Sequence, residues 1–388
     1  MSSSNSVYIT IPYRNKQPQI TISDLLSGSA DWKYKNRGVV PGATRTYKAD
    51  SPSELARGKV NTTSFYSKLW NFVQTHKDLY DIDRKELYHT FFIPKAKGGY
   101  RQIDEPLPPL MTALRELKRI FEEELPATHH TSAFAYVQDR CAVDAVKRHQ
   151  RNKSRWVLKI DMSNFFGSTT PEFLHKMLRK IFPISELYKN SMTELILKKS
   201  LELCFLNGGL PQGTPISPLL TNLMMIPIDY EVSNRLKDYN NNHYVYTRYA
   251  DDIDISCRVS FMFTDIVNYV KSALAHFDAP FTLNDKKTHY GSTAGRNWML
   301  GVMLNKDNEI TIGHERKKLL KSKLSRYIID HKNGKFWDVL SIQKLGGELS
   351  YFRSIEPSKY DYLINNYNKK FGVDISKCMK EDLNKGAL

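Results

Sequence analysis

The chain has 388 residues, of which 41% are apolar and 25% charged, so it is long enough for several domains and too apolar to be disordered throughout. Its charge is unbalanced, because 57 Lys and Arg residues stand against 41 Asp and Glu residues and give a formal net charge of +16. This surplus predicts a polyanionic partner, most often a nucleic acid, with simple solubility as the plain alternative. Collagen-like and coiled-coil fibres are excluded by the composition.

Cysteine spacing and hydropathy favour a cytoplasmic location. The cysteines form no CxxC pair, which is typical of a reducing compartment; they are Cys141, Cys204, Cys257 and Cys378. The first residues, MSSSNSVYITIPYRN, contain no basic segment followed by an apolar run, so no signal peptide is predicted. Residues 203–228 carry no charge and are long enough to cross a bilayer, but their prolines and glycines exclude a membrane-spanning helix.

Hydrophobic spacing and turn residues predict the secondary structure in chain order. Residues 1–60 are polar and rich in Ser, Thr, Gly and Pro, so we expect an irregular extension there. Helical spacing begins near residue 63 and returns at 110–125, 139–151, 170–181, 191–203, 216–236, 263–276 and throughout the basic segment after 314. Strand patterns are found at 91–103 (a hairpin), 156–161, 244–248, 253–257, 298–304 and 309–312. This mixture predicts an α+β fold with an antiparallel sheet.

Three aspartates lie where an uncompensated carboxylate would be costly. Asp161 ends an apolar strand, and Asp251 and Asp252 lie between two short strands. Mg²⁺ prefers carboxylate oxygens, and two metal ions about 3.5–4 Å apart can bind both the attacking and the leaving oxygen of a phosphoryl transfer. The pattern therefore predicts a metal site for phosphoryl chemistry, whereas Asp251 and Asp252 taken alone could equally be an Asp-rich surface turn.

Five segments together resemble reverse transcriptases, most closely the bacterial retron-type group and its defence-associated relatives. In chain order they are IPKAKGGYRQIDEPLPPL (93–110), LKIDMSNFFGS (158–168), GLPQGTPISPLLTNLMM (209–225), YADD (249–252) and LNDKKT (283–288). The resemblance spans residues 85–371 and implies a right-hand polymerase with fingers, a palm with an antiparallel sheet and a helical thumb. We expect an N-terminal extension at 1–62, fingers at 63–155, a palm with interspersed fingers segments at 156–312 and a basic helical thumb at 313–388.

The resemblance implies catalytic and metal-binding residues. Asp161, Asp251 and Asp252 would bind two Mg²⁺ ions, with Mn²⁺ as a substitute. Lys287 would protonate the departing pyrophosphate, and the adjacent Lys286 is the alternative for this role.

The resemblance also implies the residues that contact the substrates. The incoming deoxynucleoside triphosphate would meet Lys95, Arg101, Phe166, Gln212 and Ala250. Lys97 could replace Lys95, and plain core packing is the alternative for Phe166. Nucleic acid would be held by Met299, Leu300 and Gly301 of the primer-holding hairpin and by the thumb cations Lys317, Lys318 and Lys321. A charged, solvated helix is the alternative for the thumb segment.

The function that follows is an RNA-directed DNA polymerase that copies a dedicated noncoding RNA into DNA, in bacterial antiphage defence and with an effector or partner protein. Two family elements differ here, VDAVKRHQ (143–150) and the triplet Met299-Leu300-Gly301, which favours a defence-associated or unclassified relative over a typical retron enzyme. Untemplated or protein-primed DNA synthesis, as in abortive-infection relatives, is one alternative. A non-catalytic RNA-binding scaffold is the other, although the presence of all three carboxylates argues against it.

Overall fold

A computed structural model of the chain describes residues 8–10, 19–21, 62–95, 98–125, 128–238, 243–295 and 297–385. The chain divides into two compact units. The first consists of Met1–Cys141, Leu158–Ile255 and Phe261–Tyr290. The second consists of Ala142–Val157, Ser256–Ser260 and Gly291–Leu388.

Helices dominate both units. They are α1 (Thr62–Thr75), α2 (Pro108–Glu124), α3 (Ala142–Arg151), α4 (Pro171–Leu178), α5 (Ile184–Leu187), α6 (Ser191–Glu202), α7 (Ser217–Asp238), α8 (Phe263–His276), α9 (His314–Lys332), α10 (Val339–Ile355), α11 (Pro357–Phe371) and α12 (Ile375–Lys385). The strands are β1 (Tyr8–Thr10), β2 (Gln19–Thr21), β3 (Tyr88–Pro94), β4 (Tyr100–Pro106), β5 (Trp156–Ser163), β6 (Val245–Tyr249), β7 (Asp252–Cys257), β8 (Thr282–Leu283), β9 (His289–Ser292), β10 (Trp298–Met299), β11 (Val302–Leu304) and β12 (Ile310–Thr311).

Local sequence explains where several helices begin. Pro171 occupies the first turn of α4, where its missing N–H costs nothing, and the hydroxyl of Thr170 accepts a hydrogen bond from the backbone N–H of Phe173 at 3.2 Å. Asn190 caps α6 in the same way by accepting from the N–H of Met192 at 2.8 Å. The helix α8 has the bounds that hydrophobic spacing predicts, because its apolar residues recur on one face and are buried.

The central sheet has the strand order β6-β7-β5-β8, and β9 also pairs with β5. The strands β6 and β7 form a hairpin, and β8 pairs antiparallel with the end of β5 through Met162 and Leu283. A separate antiparallel hairpin is formed by β3 and β4, with Ile93 opposite Arg101. The sequence-based prediction of an α+β fold with an antiparallel sheet is confirmed.

The uncharged residues 203–228 lie in the core. They form a loop followed by the first half of α7, and apolar side chains such as Leu220, Met224 and Ile226 are fully buried there. Within the described ranges, no helix is both long and apolar enough to cross a membrane.

The second unit has its own core. Helix α3 packs with the small sheet β10-β11-β12 through Val146, Met299 and Val302. The helices α9 to α12 surround a second cluster that includes Leu324, Phe352 and further apolar side chains. The all-helical segment predicted after residue 314 is confirmed, although it is one part of a unit that also contains a sheet.

The structure corrects two predictions. The single strand expected at 298–304 is broken into β10 and β11, because Leu300 (φ 48°) and Gly301 (φ 88°) form a left-handed turn. The irregular extension expected at 1–60 contains the antiparallel pair β1–β2, with Ile9 opposite Ile20; its remaining residues lie outside the described part of the chain. The linear division into fingers, palm and thumb stays a prediction; residues 142–155, expected in the fingers, and residues 156–157, expected in the palm, group with residues 291–388.

Candidate functional site

The turn between β6 and β7 brings two aspartates beside the end of β5. Ala250 lies at the bend with φ 58°, in the left-handed region. The carbonyl oxygen of Asp251 accepts a hydrogen bond from the N–H of Met162 at 3.1 Å. Because Met162 directly follows Asp161, this bond holds the two predicted acidic segments side by side.

Asp161 is paired with a lysine from the segment after β8. The Nζ of Lys287 lies 2.7 Å and 3.0 Å from the two carboxylate oxygens of Asp161. The backbone supports this contact, since the N–H of Asn284 donates to the carbonyl oxygen of Asp161 at 2.8 Å. The hydrogen bond to Asp161 raises the pKa of Lys287. Of the two lysines that the sequence leaves as alternatives, Lys287 is the one that contacts the acidic site.

The acidic site has more negative charge than its surroundings compensate. Removal from water and then the neighbouring Asp161 raise the pKa of Asp251. Crowding by surrounding protein, followed by repulsion from Asp251 and Asp161, raises the pKa of Asp252 to about 6, although the residue keeps contact with solvent at the start of β7. Carboxylates that raise one another's pKa are a donor set that a hard divalent cation would satisfy. Across the described residues, no three His, Cys, Asp or Glu side chains are arranged so that they could together hold a metal ion, so the chemistry of these carboxylates, and not a preformed geometry, is what fits one.

A cleft of about 1140 Å³ opens in front of these acids within the first unit. It collects most of the residues that the sequence predicts for catalysis and nucleotide binding: Lys95, Arg101, Asp161, Phe166, Gln212, Asp251 and Lys287. Ala250 and Asp252 are not part of its lining, since Ala250 is buried in the turn and Asp252 begins β7. Lys97 lies outside the described residues.

The hairpin β3–β4 is fastened to the Gln212 segment by backbone contacts. The N–H of Asp104 donates to the carbonyl oxygen of Gln212 at 2.8 Å. Gly213 has φ +123°, and an added Cβ there would lie 2.8 Å from the carbonyl oxygen of Asp104. Gly213 thus permits a close approach between this segment and the strand β4.

Phe166 forms part of the cleft wall and is only 9% exposed. Its carbonyl oxygen accepts a hydrogen bond from the N–H of Leu210 at 3.1 Å. Gly167, the residue after Phe166, packs even more closely against this loop. An added Cβ on Gly209 would lie 2.1 Å from the carbonyl oxygen of Gly167. Phe166 is thus fixed to the loop that precedes α7.

The predicted nucleic-acid contacts in the second unit fall into two groups. Leu300 and Gly301 form the exposed turn between β10 and β11, and the carbonyl oxygen of Gly301 accepts a hydrogen bond from Arg316 Nη1 at 2.7 Å. The side chain of Met299 is fully buried instead, so the prediction that it contacts nucleic acid is revised. Met299 packs in the core behind the turn.

The three predicted thumb cations also differ in their surroundings. Lys318 and Lys321 are exposed on α9. Lys317 instead donates to the buried carboxylate of Glu356 at 2.9 Å and to the hydroxyl of Thr311 at 2.9 Å. Because its charge is compensated inside the fold, Lys317 is reassigned from a phosphate contact to a structural ion pair.

Sequence reasoning missed a buried polar network behind the acidic turn. Arg248 and Asp229 form an ion pair of 2.8 Å in which both side chains are fully buried. Arg248 also donates through Nη1 to the carbonyl oxygen of Ala250 at 3.3 Å and to Asn222 at 3.2 Å. The sequence signal that could have indicated this network is an arginine within an otherwise uncharged strand, YTRY.

Comparison with known proteins gives one family model, several named relatives and more distant solved structures. The model of the family described as reverse transcriptase (RNA-dependent DNA polymerase) matches residues 93–326. Retron Ec83 reverse transcriptase of Escherichia coli is 32% identical over 76% of this chain and 90% of its own length, and retron Ec73 reverse transcriptase of Escherichia coli is 27% identical over 71% and 85%. Among solved structures, telomerase from Candida albicans covers 76% of this chain and 58% of its own, with a TM-score of 0.43 and 13% identity.

The family model matches more than half of the chain, and the Ec83 relative exceeds 30% identity over most of its length. The chain therefore belongs to the reverse transcriptase family and is an RNA-directed DNA polymerase of the bacterial retron type.

Proposed function

We propose that this enzyme copies a dedicated noncoding RNA into DNA by nucleotidyl transfer that depends on two divalent metal ions. The observation that carries the proposal is the convergence of Asp161, Asp251 and Lys287 in one cleft with the predicted nucleotide contacts. A cleft that combines acids at one point with cations elsewhere suits a metal-bound triphosphate better than a neutral ligand.

Asp161, Asp251 and Asp252 would hold the ions, Mg²⁺ in the first place and Mn²⁺ as a substitute. When bound, such ions stabilise the charge that develops on the attacking and leaving oxygens. The raised pKa values of Asp251 and Asp252 support this assignment, because desolvation and then repulsion between the carboxylates disfavour their charged forms, and a bound cation would offset both effects.

The other residues of the cleft would bind and orient the substrate. Lys95 and Arg101 would pair with the triphosphate, as positioned cations do in other phosphoryl-transfer sites. The ring of Phe166 would pack against the sugar and exclude a ribonucleotide 2′-hydroxyl. Gln212 would lie beside the nascent base pair, and Ala250, which does not line the cleft, would support the nucleotide site from the turn behind it. Lys287 would donate a proton to the departing pyrophosphate.

In the second unit, Leu300 and Gly301 would contact the primer strand. Lys318 and Lys321 are exposed cations on one helix and would contact phosphates, which fix the register of a nucleic acid without reading its sequence. The net charge of +16 supports a long polyanionic partner.

The biological setting is proposed from the resemblance to retron and defence-associated enzymes. The relatives are named as retron reverse transcriptases, which supports a dedicated RNA template and a DNA product. We further propose a role in antiphage defence with an effector or partner protein, in the cytoplasm, because cysteines without a CxxC pair are typical of a reducing compartment.

Sequencing the RNA and DNA that co-purify with the protein tests this proposal. One abundant RNA, together with DNA complementary to part of it, is expected. Random or homopolymeric DNA would instead support untemplated or protein-primed synthesis. Tight RNA binding without any nucleotide incorporation would support a non-catalytic scaffold. The double variant Asp251→Ala, Asp252→Ala should abolish the DNA while leaving the RNA bound.

A further inference from the structure

Tyr136 is an aromatic residue of the cleft to which the sequence motifs assign no part. It lines the same cleft as Phe166 and Asp251, and its side chain is 55% exposed. Its backbone has φ 59°, the left-handed region that a bulky residue rarely occupies. Backbone strain in a bulky residue at the wall of an active site is a reason to look for a functional constraint.

The loop that precedes Tyr136 is held in place by hydrogen bonds to two other elements. The N–H of Phe134 donates to the carbonyl oxygen of Arg248 at 2.9 Å, and the N–H of Arg248 donates to Ser132 at 2.7 Å. The side-chain amide of Asn222 donates to the carbonyl oxygen of Ala135 at 2.8 Å. Ala135, the residue before Tyr136, is thus bound to α7 through Asn222. Phe134 is bound through Arg248 to the strand that leads into the acidic turn.

The ring of Tyr136 meets Phe166 at its edge. The two ring centroids are 6.3 Å apart with an interplanar angle of 74°, the edge-to-face arrangement that aromatic pairs prefer. Phe165 contacts Phe166 in a similar way at 5.6 Å and 79°. Phe165 is almost fully buried and Tyr136 is exposed to the cleft, so Phe166 contacts one buried ring and one exposed ring.

We propose that Tyr136 is a positioning residue for substrate selection: it holds the ring of Phe166 in place and thereby sets the discrimination between deoxyribonucleotides and ribonucleotides. The inference rests on the proposed contact between Phe166 and the sugar. Without the ring of Tyr136, Phe166 has a free side toward the cleft and can turn away from a 2′-hydroxyl. The phenol hydroxyl takes no part in this role, because the contact is between rings.

Single-nucleotide incorporation tests the proposal, with kcat/KM measured for a deoxynucleotide and the ribonucleotide of the same base. Tyr136→Phe should keep the wild-type ratio of the two values. Tyr136→Ala should lower the ratio roughly three- to tenfold, the factor that corresponds to losing one aromatic pair. The change should come from a lower KM and a higher kcat/KM for the ribonucleotide. General damage to the fold would instead reduce kcat/KM for both substrates alike.

Tyr136→Gly separates selection from folding, because glycine accepts the left-handed backbone without strain. Relief of the strain offsets the greater freedom of glycine in the unfolded chain, so this variant should melt close to the wild-type temperature and still lose discrimination. An unchanged ratio in both Tyr136→Ala and Tyr136→Gly would overturn the proposal.

The variant Phe166→Ala distinguishes a failure of this inference from a failure of the proposed function. It should lower the ratio further than Tyr136→Ala does, and adding Tyr136→Ala to it should have no additional effect, since the two rings act as one unit. If Phe166→Ala leaves the ratio unchanged, the proposed sugar contact is itself wrong. If Phe166→Ala lowers the ratio and the Tyr136 variants do not, only the role of Tyr136 is wrong.

Discussion

Arg248 and Asp229 form a fully buried ion pair directly behind the acidic turn. The carboxylate of Asp229 accepts from Arg248 Nε at 2.9 Å and Nη2 at 2.8 Å, and from the hydroxyl of Tyr246 at 2.6 Å. Burial opposes the charge on Arg248, but the pairing with Asp229 outweighs it, so the pKa of the guanidinium is raised. Since Arg248 also donates to Ala250, the pair connects helix α7 to the backbone that carries Asp251.

Removing one partner of this pair should therefore be very costly. Asp229→Leu leaves the Arg248 charge buried without compensation, and we expect a loss of about 3–5 kcal/mol in the free energy of unfolding. The double variant Asp229→Leu, Arg248→Met removes both charges and should lose clearly less than Asp229→Leu alone. Urea denaturation followed by circular dichroism measures the free energy of unfolding of both variants. A double variant no more stable than Asp229→Leu would contradict this, because it would show that the uncompensated Arg248 charge is not what destabilises the single variant.

Glu356 organises the second unit through a buried carboxylate. It accepts from the hydroxyl of Thr311 at 2.7 Å and the N–H of Ile312 at 2.9 Å, in addition to Lys317. Glu356→Gln should lower the free energy of unfolding by about 1–3 kcal/mol, because buried partners lose a charged acceptor. Glu348→Gln is the matched control, since the pair of Glu348 with Lys323 is exposed and should be worth no more than about 1 kcal/mol. Equal losses of thermal stability in Glu356→Gln and Glu348→Gln would contradict this account.

The close approach of Gly209 to Gly167 should not tolerate a side chain. Gly209→Ala places a methyl group against backbone, so we expect about 1–3 kcal/mol of destabilisation and slower incorporation, because the hydrogen bond from Leu210 to Phe166 would shift. Gly347→Ala is the control: its Cβ would meet nothing within 4 Å in helix α10, and it should be neutral or stabilising by up to about 1 kcal/mol. Wild-type incorporation by Gly209→Ala would argue against a tightly fixed Phe166.

His149 should make stability depend on pH below neutrality. Burial, followed by the nearby Arg148, lowers its pKa to about 3, and its Nδ1 lies 2.6 Å from the hydroxyl of Ser256. The unfolded chain binds a proton near pH 6.5 and the folded chain does not until about pH 3. The free energy of unfolding should therefore fall as the pH drops through this window.

The variant His149→Gln isolates this contribution. Between pH 7.5 and pH 5, the wild type should lose about 2 kcal/mol more than the variant. His129 and His175 also have a lowered pKa, about 4 in each case, and remain in both proteins, so their contributions cancel in the comparison. Parallel pH profiles would show that His149 is accessible to protons in the folded state.

Sequence reasoning succeeded where the signal is local. The bounds of α8 follow from apolar residues such as Ile266, Val270 and Leu274, which repeat at helical spacing and are buried. Asp161 and Asp251 were expected at the ends of neighbouring strands, and the hydrogen bond from Met162 to Asp251 places them side by side.

The failures involve contacts between distant parts of the chain. Lys317 lies in a basic run that predicts an exposed cation, but its partner Glu356 is 39 residues away. The turn at Leu300 and Gly301 was missed because a left-handed leucine has no sequence signature. Tyr136 could not be assigned, since its position depends on Asn222, which is 87 residues from Ala135.

The central claim is that the acids of this cleft carry RNA-directed DNA synthesis, and primer extension on a defined RNA template tests it most directly. With Mg²⁺ and deoxynucleotides, the wild type should produce full-length complementary DNA. The variant Asp251→Asn, Asp252→Asn keeps the shape of both side chains and removes both negative charges, so it should produce no extension while retaining its melting temperature and RNA affinity. Complementary DNA made by this variant at the wild-type rate would contradict the account.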